Sequence, residues 1–188
     1  MYDLNTANDA DFSPIPPGIY RVKAKLRLGG VGEEQLLRLA KNLRTQMMDL
    51  QLTVLSGQYS GRKVFELVTV FADLGNSPEL APIDEQQVDN YKRAVSIGLA
   101  KLRRMLESAH EIAHDDESEE AQKIRRFNSL RVFDNLEYWA YVDIKDAANG
   151  FRARNDVARI ITPDMNDWPG APPKRPPLAD DMDDSIPF

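Results

Sequence analysis

Residues 19–28, with the sequence Ile-Tyr-Arg-Val-Lys-Ala-Lys-Leu-Arg-Leu, alternate between apolar and basic side chains. The basic set consists of Arg21, Lys23, Lys25 and Arg27, and the apolar set of Tyr20, Val22, Ala24, Leu26 and Leu28. Because successive side chains on a strand point to opposite faces, the stretch predicts a β-strand with one buried face. Its cations would lie about 6.7 Å apart, close to the phosphate spacing of an extended nucleic-acid strand. An ordinary solvated strand face is the alternative interpretation.

Four further strands are predicted from short segments that are bounded by turn residues: 48–55, 62–71, 137–145 and 151–162. In the first of them, alternation predicts an inward set of Met48, Leu50, Leu52 and Val54. The second carries apolar side chains on both faces, which predicts either burial on both sides or aromatic rings that face a ligand. Asn149-Gly150 predicts a hairpin turn before the last strand.

Three helices are predicted between these strands. Helical spacing indicates a short helix within 33–47 and another near 118–128. Asp84 is a suitable N-cap for a long helix that continues to about Ala113. The apolar stripe of this long helix steps by three and four residues through Val88, Tyr91, Val95, Leu99, Leu102, Leu106 and Ala109.

The order of these elements predicts a mainly β protein with helices (α+β). Strand, connecting loop, strand, strand, helix, strand, strand fits the OB-fold, a five-stranded Greek-key barrel that here has a long helix between strands three and four. The OB-fold domain would cover residues 18–162, after a polar, Pro-rich leader at residues 1–17. A Pro-rich linker at residues 163–178 would hold the acidic residues 179–188 away from the domain, and the two together predict a disordered tail.

Composition narrows the function classes. The 188 residues include no Cys, which excludes a disulfide framework, a thiolate metal site and a Cys nucleophile. No apolar run approaches the roughly 18 residues of a membrane span, and no signal peptide opens the chain, so a cytoplasmic location is expected. The net charge is −6, but its acid excess is concentrated after Pro163. A nucleic-acid surface would therefore arise from segregated charge in a nearly neutral domain.

Binding of single-stranded DNA without sequence preference needs cations for the phosphates and flat side chains for the bases. Besides the four cations of residues 19–28, the candidate phosphate contacts are Arg62, Lys63, Arg152 and Arg154. The first candidate stacking platforms are Trp139 and Tyr141, and the next are Phe65, Phe71 and Phe151. Core packing is the alternative interpretation for these rings. No catalytic residue, metal site or cofactor is predicted.

The last ten residues, 179–188, combine acidic and apolar side chains in an order that suits capture by another protein. Four acids, Asp180, Asp181, Asp183 and Asp184, precede the apolar tripeptide Ile186, Pro187 and Phe188. In the partner protein, a pocket would bind the Phe188 ring and a cation would pair with the Phe188 carboxylate. Basic residues around the pocket would pair with the four aspartates. Pro187 fixes its own φ, which lowers the entropic cost of docking. The alternative is a solvated tail that only aids solubility.

This acidic segment resembles the C-terminal tip of bacterial single-stranded-DNA-binding proteins, which usually ends in acidic residues followed by Ile-Pro-Phe. Ser185 stands where that family often has another acid. The resemblance implies that residues 179–188 dock on host or phage replication and repair proteins.

Five short stretches within residues 2–163 carry a second resemblance. They are Tyr2-Asp-Leu-Asn5, Phe12-Ser-Pro-Ile-Pro-Pro-Gly-Ile-Tyr-Arg21, Leu55-Ser-Gly-Gln-Tyr-Ser-Gly-Arg-Lys63, Asn149-Gly-Phe-Arg-Ala-Arg-Asn155 and Ile160-Ile-Thr-Pro163. In these stretches the chain resembles a phage and prophage family of single-stranded-DNA-binding proteins. The resemblance implies an OB-fold that binds and protects single-stranded DNA in replication or recombination, in the bacterial host cytoplasm and away from membranes. It also allows a homodimer.

Two other functions stay open from the sequence. A replisome adaptor would use the acidic segment to recruit host proteins without binding DNA. The stretch His110-Glu-Ile-Ala-His114 matches the H-e-x-x-H spacing of zinc hydrolases, in which two imidazoles share one helical face. Because these are the only two histidines and they lie at a predicted helix end, the protein is not expected to be an enzyme.

Overall fold

The computed structural model of the chain describes residues 13–147 and 152–170. Within these ranges lie seven strands: β1 (Gly18–Arg27), β2 (Gly30–Val31), β3 (Leu37–Leu39), β4 (Thr45–Val54), β5 (Lys63–Ala72), β6 (Glu137–Lys145) and β7 (Arg154–Ile161). The helices are α1 (Glu85–His110) and α2 (Glu119–Ile124), with short 3-10 turns at Glu33–Gln35 and Leu130–Phe133. The protein is therefore mainly β with one long helix.

The strands form one antiparallel sheet in the order β2-β3-β4-β1-β6-β7, with β5 on the other edge of β4. β1 pairs with residues 49–54 of β4 and β3 with residues 46–48, so these two strands share one edge of β4. The sheet is open, because no ladder joins β5 to β7 within the ranges that the structure describes. The sequence led us to expect a closed barrel, but no strand pairing closes the sheet within the described residues.

The alternation in β1 and β4 places their predicted apolar sets in the core. Val22, Ala24 and Leu26 are buried, as are Met48, Leu50, Leu52 and Val54, and the cross-strand register aligns the two sets. β6 has the predicted bounds. Leu28 was wrongly assigned to the inward set: β1 ends at Arg27, and the Leu28 side chain is exposed beyond the strand.

The helix predicted within residues 33–47 is wrong. This segment holds a 3-10 turn, the short strand β3 and the beginning of β4. Glu34, Gln35 and Leu43 have φ values of 51°, 58° and 58°, which an α-helix does not accommodate. Gly29 meets the β3 backbone so closely that an added Cβ would lie 2.2 Å from the Leu37 carbonyl oxygen. A tight strand connection therefore replaces the expected helix.

α1 begins as predicted, with Asp84 and Gln87 forming a capping box. It ends at His110, before the predicted Ala113, because Glu111 adopts the left-handed conformation with φ 58°. The buried apolar side chains belong to its C-terminal half: Leu102, Met105 and Leu106. Leu99, predicted in the apolar stripe, is half exposed, which corrects that part of the prediction. α2 is shorter than the predicted 118–128.

Gly98, near the middle of α1, lies in close contact with β5. A Cβ at Gly98 would come within 1.8 Å of the Thr69 carbonyl oxygen on β5. Most side chains of residues 85–100 are exposed or half-buried. Across the described parts of the chain, no helix is both long enough and apolar enough to cross a lipid bilayer.

Candidate nucleic-acid interface

Three cross-strand rows of side chains lie on the solvent side of β1, β4 and β5. The register pairs Lys23 with Thr53 and Lys63, Lys25 with Gln51 and Phe65, and Arg27 with Asp49 and Leu67. The intervening residues Ala24, Leu52 and Val64 are buried on the other side of the sheet, so alternation turns these nine residues outward. We call them the outer patch.

Phe65 is the aromatic ring of the outer patch. It is 52% exposed, and the Arg27 guanidinium carbon lies 5.4 Å from its ring centroid. Leu67 extends the apolar surface along β5 and is also about half exposed. Core packing, the alternative considered for Phe65, does not occur. A half-exposed ring among cations can stack on a base and stay close to a phosphate.

Phe71 is exposed to a similar extent, 51%, but it lies elsewhere on β5. It pairs with Gln46, beyond a register shift that separates Gln46 from Met47. The ring is therefore not in the core, and it is also not part of the outer patch.

Two carboxylates from neighbouring strands neutralise part of the cationic set of β1. Asp49 Oδ1 lies 3.5 Å from Arg27 and its Oδ2 lies 3.3 Å from Arg38. Glu137 pairs with Arg21 and lies 3.7 Å from Lys23 Nζ. Sequence reasoning did not find these acids, because they lie on β4 and β6 and only the strand register brings them next to β1.

Lys25 and Lys63 carry the remaining charge of the outer patch. Lys25 is exposed and has no ion pair within the described part of the chain. Lys63 Nζ donates a hydrogen bond to Thr53 Oγ1 at 2.6 Å, and its side chain is exposed. Lys25 lies in the same cross-strand row as Phe65, and Lys63 lies in the next row.

Trp139 and Tyr141 also point to the outer side of the sheet, since Arg21 pairs with Trp139 and Ile19 with Tyr141. Both side chains are partly buried. The Trp139 indole N–H is buried without a hydrogen-bond partner, and the Arg159 guanidinium lies 5.2 Å from the Tyr141 ring centroid. These rings offer less open surface than Phe65.

A cleft of about 790 Å³ lies between the beginning of β5 and the beginning of β7. It brings together four of the predicted site residues: Arg62, Lys63, Phe65 and Arg154. Arg152 is exposed nearby in sequence but is not among the lining residues. We call this space the seam cleft, because it separates the two unpaired edges of the sheet.

The residues that lead into β1 close one end of the seam cleft. Arg62 donates a hydrogen bond to the Ser13 carbonyl oxygen. The Asn155 side chain accepts from the Ile15 N–H at 2.9 Å and donates to the Ile15 carbonyl oxygen at 2.8 Å. Ile15 itself is buried in the core. Residues 13–15 are thus hydrogen-bonded to Arg62, immediately before β5, and to Asn155 on β7.

A partly buried ion pair bridges the same two strands from the side of α1. Lys101 Nζ donates to Glu66 on β5 and, at 3.1 Å, to the Val157 carbonyl oxygen on β7. Burial raises the pKa of Glu66, and the Lys101 charge opposes that rise. Lys101 therefore connects strands that share no ladder.

The geometry of the histidine pattern does not suit the zinc site considered above. α1 ends at His110 and Glu111 is left-handed, so His110 and His114 do not lie on successive turns of one helix. His114 Nδ1 instead lies 2.9 Å from Oε2 of the fully buried Glu107. No group of three or more His, Cys, Asp or Glu side chains is arranged for a metal ion in residues 13–147 and 152–170.

The turn at Asn149-Gly150, the ring of Phe151, most of the leader, residues 171–178 of the linker and the acidic residues 179–188 lie outside the described residues. Residues 163–168, at the beginning of the predicted linker, make two turns after β7, and Asp167 pairs with Arg159. No model of a known protein family and no curated protein matches the sequence.

Proposed function

We propose that the protein binds single-stranded DNA without sequence preference, through the outer patch and the adjoining seam cleft. The observation that carries the proposal is the half-exposed Phe65 ring, with the Arg27 guanidinium beside it. Lys25 lies in the same cross-strand row as the ring and Lys63 in the next row. Aromatic rings flanked by cations are the common requirement of single-strand binding.

In this proposal the phosphates contact the four cations of β1, of which Lys25 is the first contact. Arg62, Lys63, Arg152 and Arg154 continue the phosphate path beside the seam cleft. One base stacks on Phe65, and such a stack contributes about 1–3 kcal/mol per base. Because every base has a flat apolar face and every nucleotide a phosphate, this contact set gives little sequence preference.

We further propose that the sheet is a partly open OB-fold. Its long strands follow the spatial order β5-β4-β1-β6-β7, and the long helix comes between the third and the fourth of them in sequence. Both features are expected of a five-stranded OB barrel. The ends of β5 and β7 approach each other, and the Lys101 bridge supports the idea that side chains replace a ladder at this seam.

For residues 179–188 we propose a second, separate function: recruitment of replication or repair proteins by the four aspartates and the apolar tripeptide. This part of the proposal rests on the sequence pattern alone. It implies a role in phage DNA replication or recombination in the bacterial cytoplasm. Deleting residues 180–188 should abolish capture of such proteins and leave a DNA-binding domain.

The direct test is a fluorescence anisotropy titration of labelled oligothymidine with the full chain at two salt concentrations. We expect binding that weakens as salt rises, with a slope of about −0.7 per phosphate contacted, and weaker binding to duplex of equal length. An absence of binding at low salt would refute the proposal.

The adaptor function is the second candidate, and the pairing of cations with Asp49 and Glu137 favours it, since paired cations attract phosphate less. The two functions differ in one result. An adaptor would retain capture of replication proteins through residues 179–188 and would not shift labelled single-stranded DNA.

A further inference from the structure

Two acidic side chains each hold two cations, and three of these four cations belong to the proposed DNA site. Asp49 lies between Arg27 and Arg38, and Glu137 between Arg21 and Lys23. The six side chains come from four neighbouring strands. They are Arg21, Lys23 and Arg27 on β1, Arg38 on β3, Asp49 on β4 and Glu137 on β6. This is a regular arrangement of one carboxylate for each pair of cations.

We infer that the Asp49 and Glu137 carboxylates compete with the DNA phosphates for these cations. This competition sets how tightly the site binds DNA. The inference rests on the proposed function. In the absence of DNA, each carboxylate orients its two cations toward the outer side of the sheet. When a single strand binds, a phosphate takes over the cations that the carboxylate held.

The exchange requires that the cations move while the acid stays in place, and the burial of these residues fits that requirement best at Asp49. Asp49 is buried on β4, a strand that is paired along both edges. The side chains of Arg27 and Arg38 are 51% and 55% exposed, so each can turn toward a ligand without unpacking the core. Arg27 already reaches the Phe65 ring, where a base would stack.

The exchange is more restricted at Glu137. Its partner Arg21 has a side chain that is only 17% exposed, and the Arg21 Nε is buried. Lys23 is the more exposed of the two cations and the more distant from the carboxylate. We therefore expect Glu137 to compete for one cation, Lys23, and Asp49 to compete for two.

A purely structural role for Asp49 gives a different expectation. If the carboxylate only stabilised the sheet, its neutral isostere would lower the melting temperature and leave DNA affinity unchanged. If it competes with phosphate, the isostere frees two cations that can neutralise additional phosphates. The salt dependence of binding then becomes steeper by about 0.7 for each additional phosphate.

The test compares Asp49→Asn and Glu137→Gln with Asp89→Asn in oligothymidine titrations over a range of salt concentrations. Asp89 is exposed on the N-terminal half of α1, and its substitution changes the net charge equally. We expect Asp49→Asn to bind about threefold to tenfold more tightly than wild type at low salt, with a steeper salt slope. Glu137→Gln should show a smaller gain and Asp89→Asn less than about a twofold change.

Several results would overturn the inference while the proposed function stands. One is a wild-type chain that binds DNA while Asp49→Asn binds no more tightly than Asp89→Asn. Another is a gain in all three variants, which would indicate a general effect of net charge. If Asp49→Asn does not fold, Glu137→Gln decides the matter by the same criteria. A wild-type chain that does not bind overturns the proposed function and this inference together.

Discussion

Phe65 and Tyr141 lie on the same side of the sheet, and each has an arginine beside its ring, yet their surroundings differ. The Phe65 ring is half exposed, and its partner Arg27 belongs to the exposed outer patch. The Tyr141 ring is less exposed. Its partner Arg159 pairs with Asp167 after β7, as Arg27 pairs with Asp49. The sequence pattern of aromatic and basic residues is similar in both places. The exposure of the ring distinguishes them.

The largest effect should come from reversing the charge of the outer patch with Lys25→Glu and Lys63→Glu together. Both lysines are exposed, so the change should leave the core intact, and we expect affinity for oligothymidine to fall at least about 100-fold at low salt. Anisotropy titrations should also show a salt slope that is shallower by about 1.4, because two phosphate contacts are lost.

The matched control for this double reversal is Lys92→Glu with Arg93→Glu, which changes the net charge equally. Both residues are exposed on α1, outside the outer patch. An equal loss of affinity in the control would show that total charge, rather than the outer patch, controls binding.

A smaller loss is expected from Phe65→Ala, which removes the ring but no charge. Loss of one base stack should reduce binding by about 1–3 kcal/mol, or roughly fivefold to 150-fold, in the same titration. The melting temperature should change little because half of this side chain is exposed. Phe71→Ala is the control, since that ring is equally exposed on the same strand but outside the outer patch. Equal losses of DNA affinity in the two variants would show that Phe65 has no special role in binding.

Trp139→Phe should affect DNA binding by less than about twofold, because that ring is partly enclosed. The substitution also removes a buried indole N–H that has no hydrogen-bond partner. Loss of packing is therefore offset by relief of an unpaired donor, and we expect the free energy of unfolding to change by less than about 1.5 kcal/mol. Urea denaturation and DNA titration measure the two quantities. A tenfold loss of DNA affinity would show that the partly enclosed rings of β6 contact DNA, contrary to the comparison with Phe65.

Glu66→Gln should have the weakest effect on DNA affinity. It should instead change how the free energy of unfolding depends on pH. Burial raises the pKa of Glu66 above its ordinary value of 4.5, although Lys101 opposes this. The folded state therefore holds the proton more tightly than the unfolded chain does. Glu66 then contributes stability that is fully present below pH 4.5 and is lost as the pH rises through the folded pKa.

Glu66→Gln removes this pH-dependent contribution. The free energy of unfolding of wild type minus that of Glu66→Gln should thus decrease as the pH rises through the same window. Urea denaturation of both proteins at several pH values measures this difference. A difference that stays constant or grows with pH would show that burial does not dominate the titration of Glu66.

Local patterns in the sequence predicted the elements that are regular and half-buried. The alternation in residues 19–28 and 137–145 predicted β1 and β6, and Asp84 marked the beginning of α1. These signals are local, because periodicity and capping depend on a few neighbouring residues. The segment 33–47 was mispredicted, since its helical spacing is opposed by the positive φ values of Glu34, Gln35 and Leu43 and by the close approach of Gly29 to β3.

The candidate site was less predictable than the fold, for a related physical reason. The cations of β1 could be read from the chain, but their partners Asp49 and Glu137 are supplied by other strands. The ranking of the aromatic rings also changed, because exposure depends on what packs against each ring. Only the three-dimensional register carries that information.

The position of the base on the protein is the most direct test of the central claim. Oligothymidine that carries iodouracil can be photo-crosslinked to the full chain, and the adduct can be located by peptide fragmentation. We expect the principal adduct at Phe65, within the tryptic peptide 64–92. Principal adducts at Trp139 or Tyr141, with none at Phe65, would contradict a binding surface centred on the outer patch.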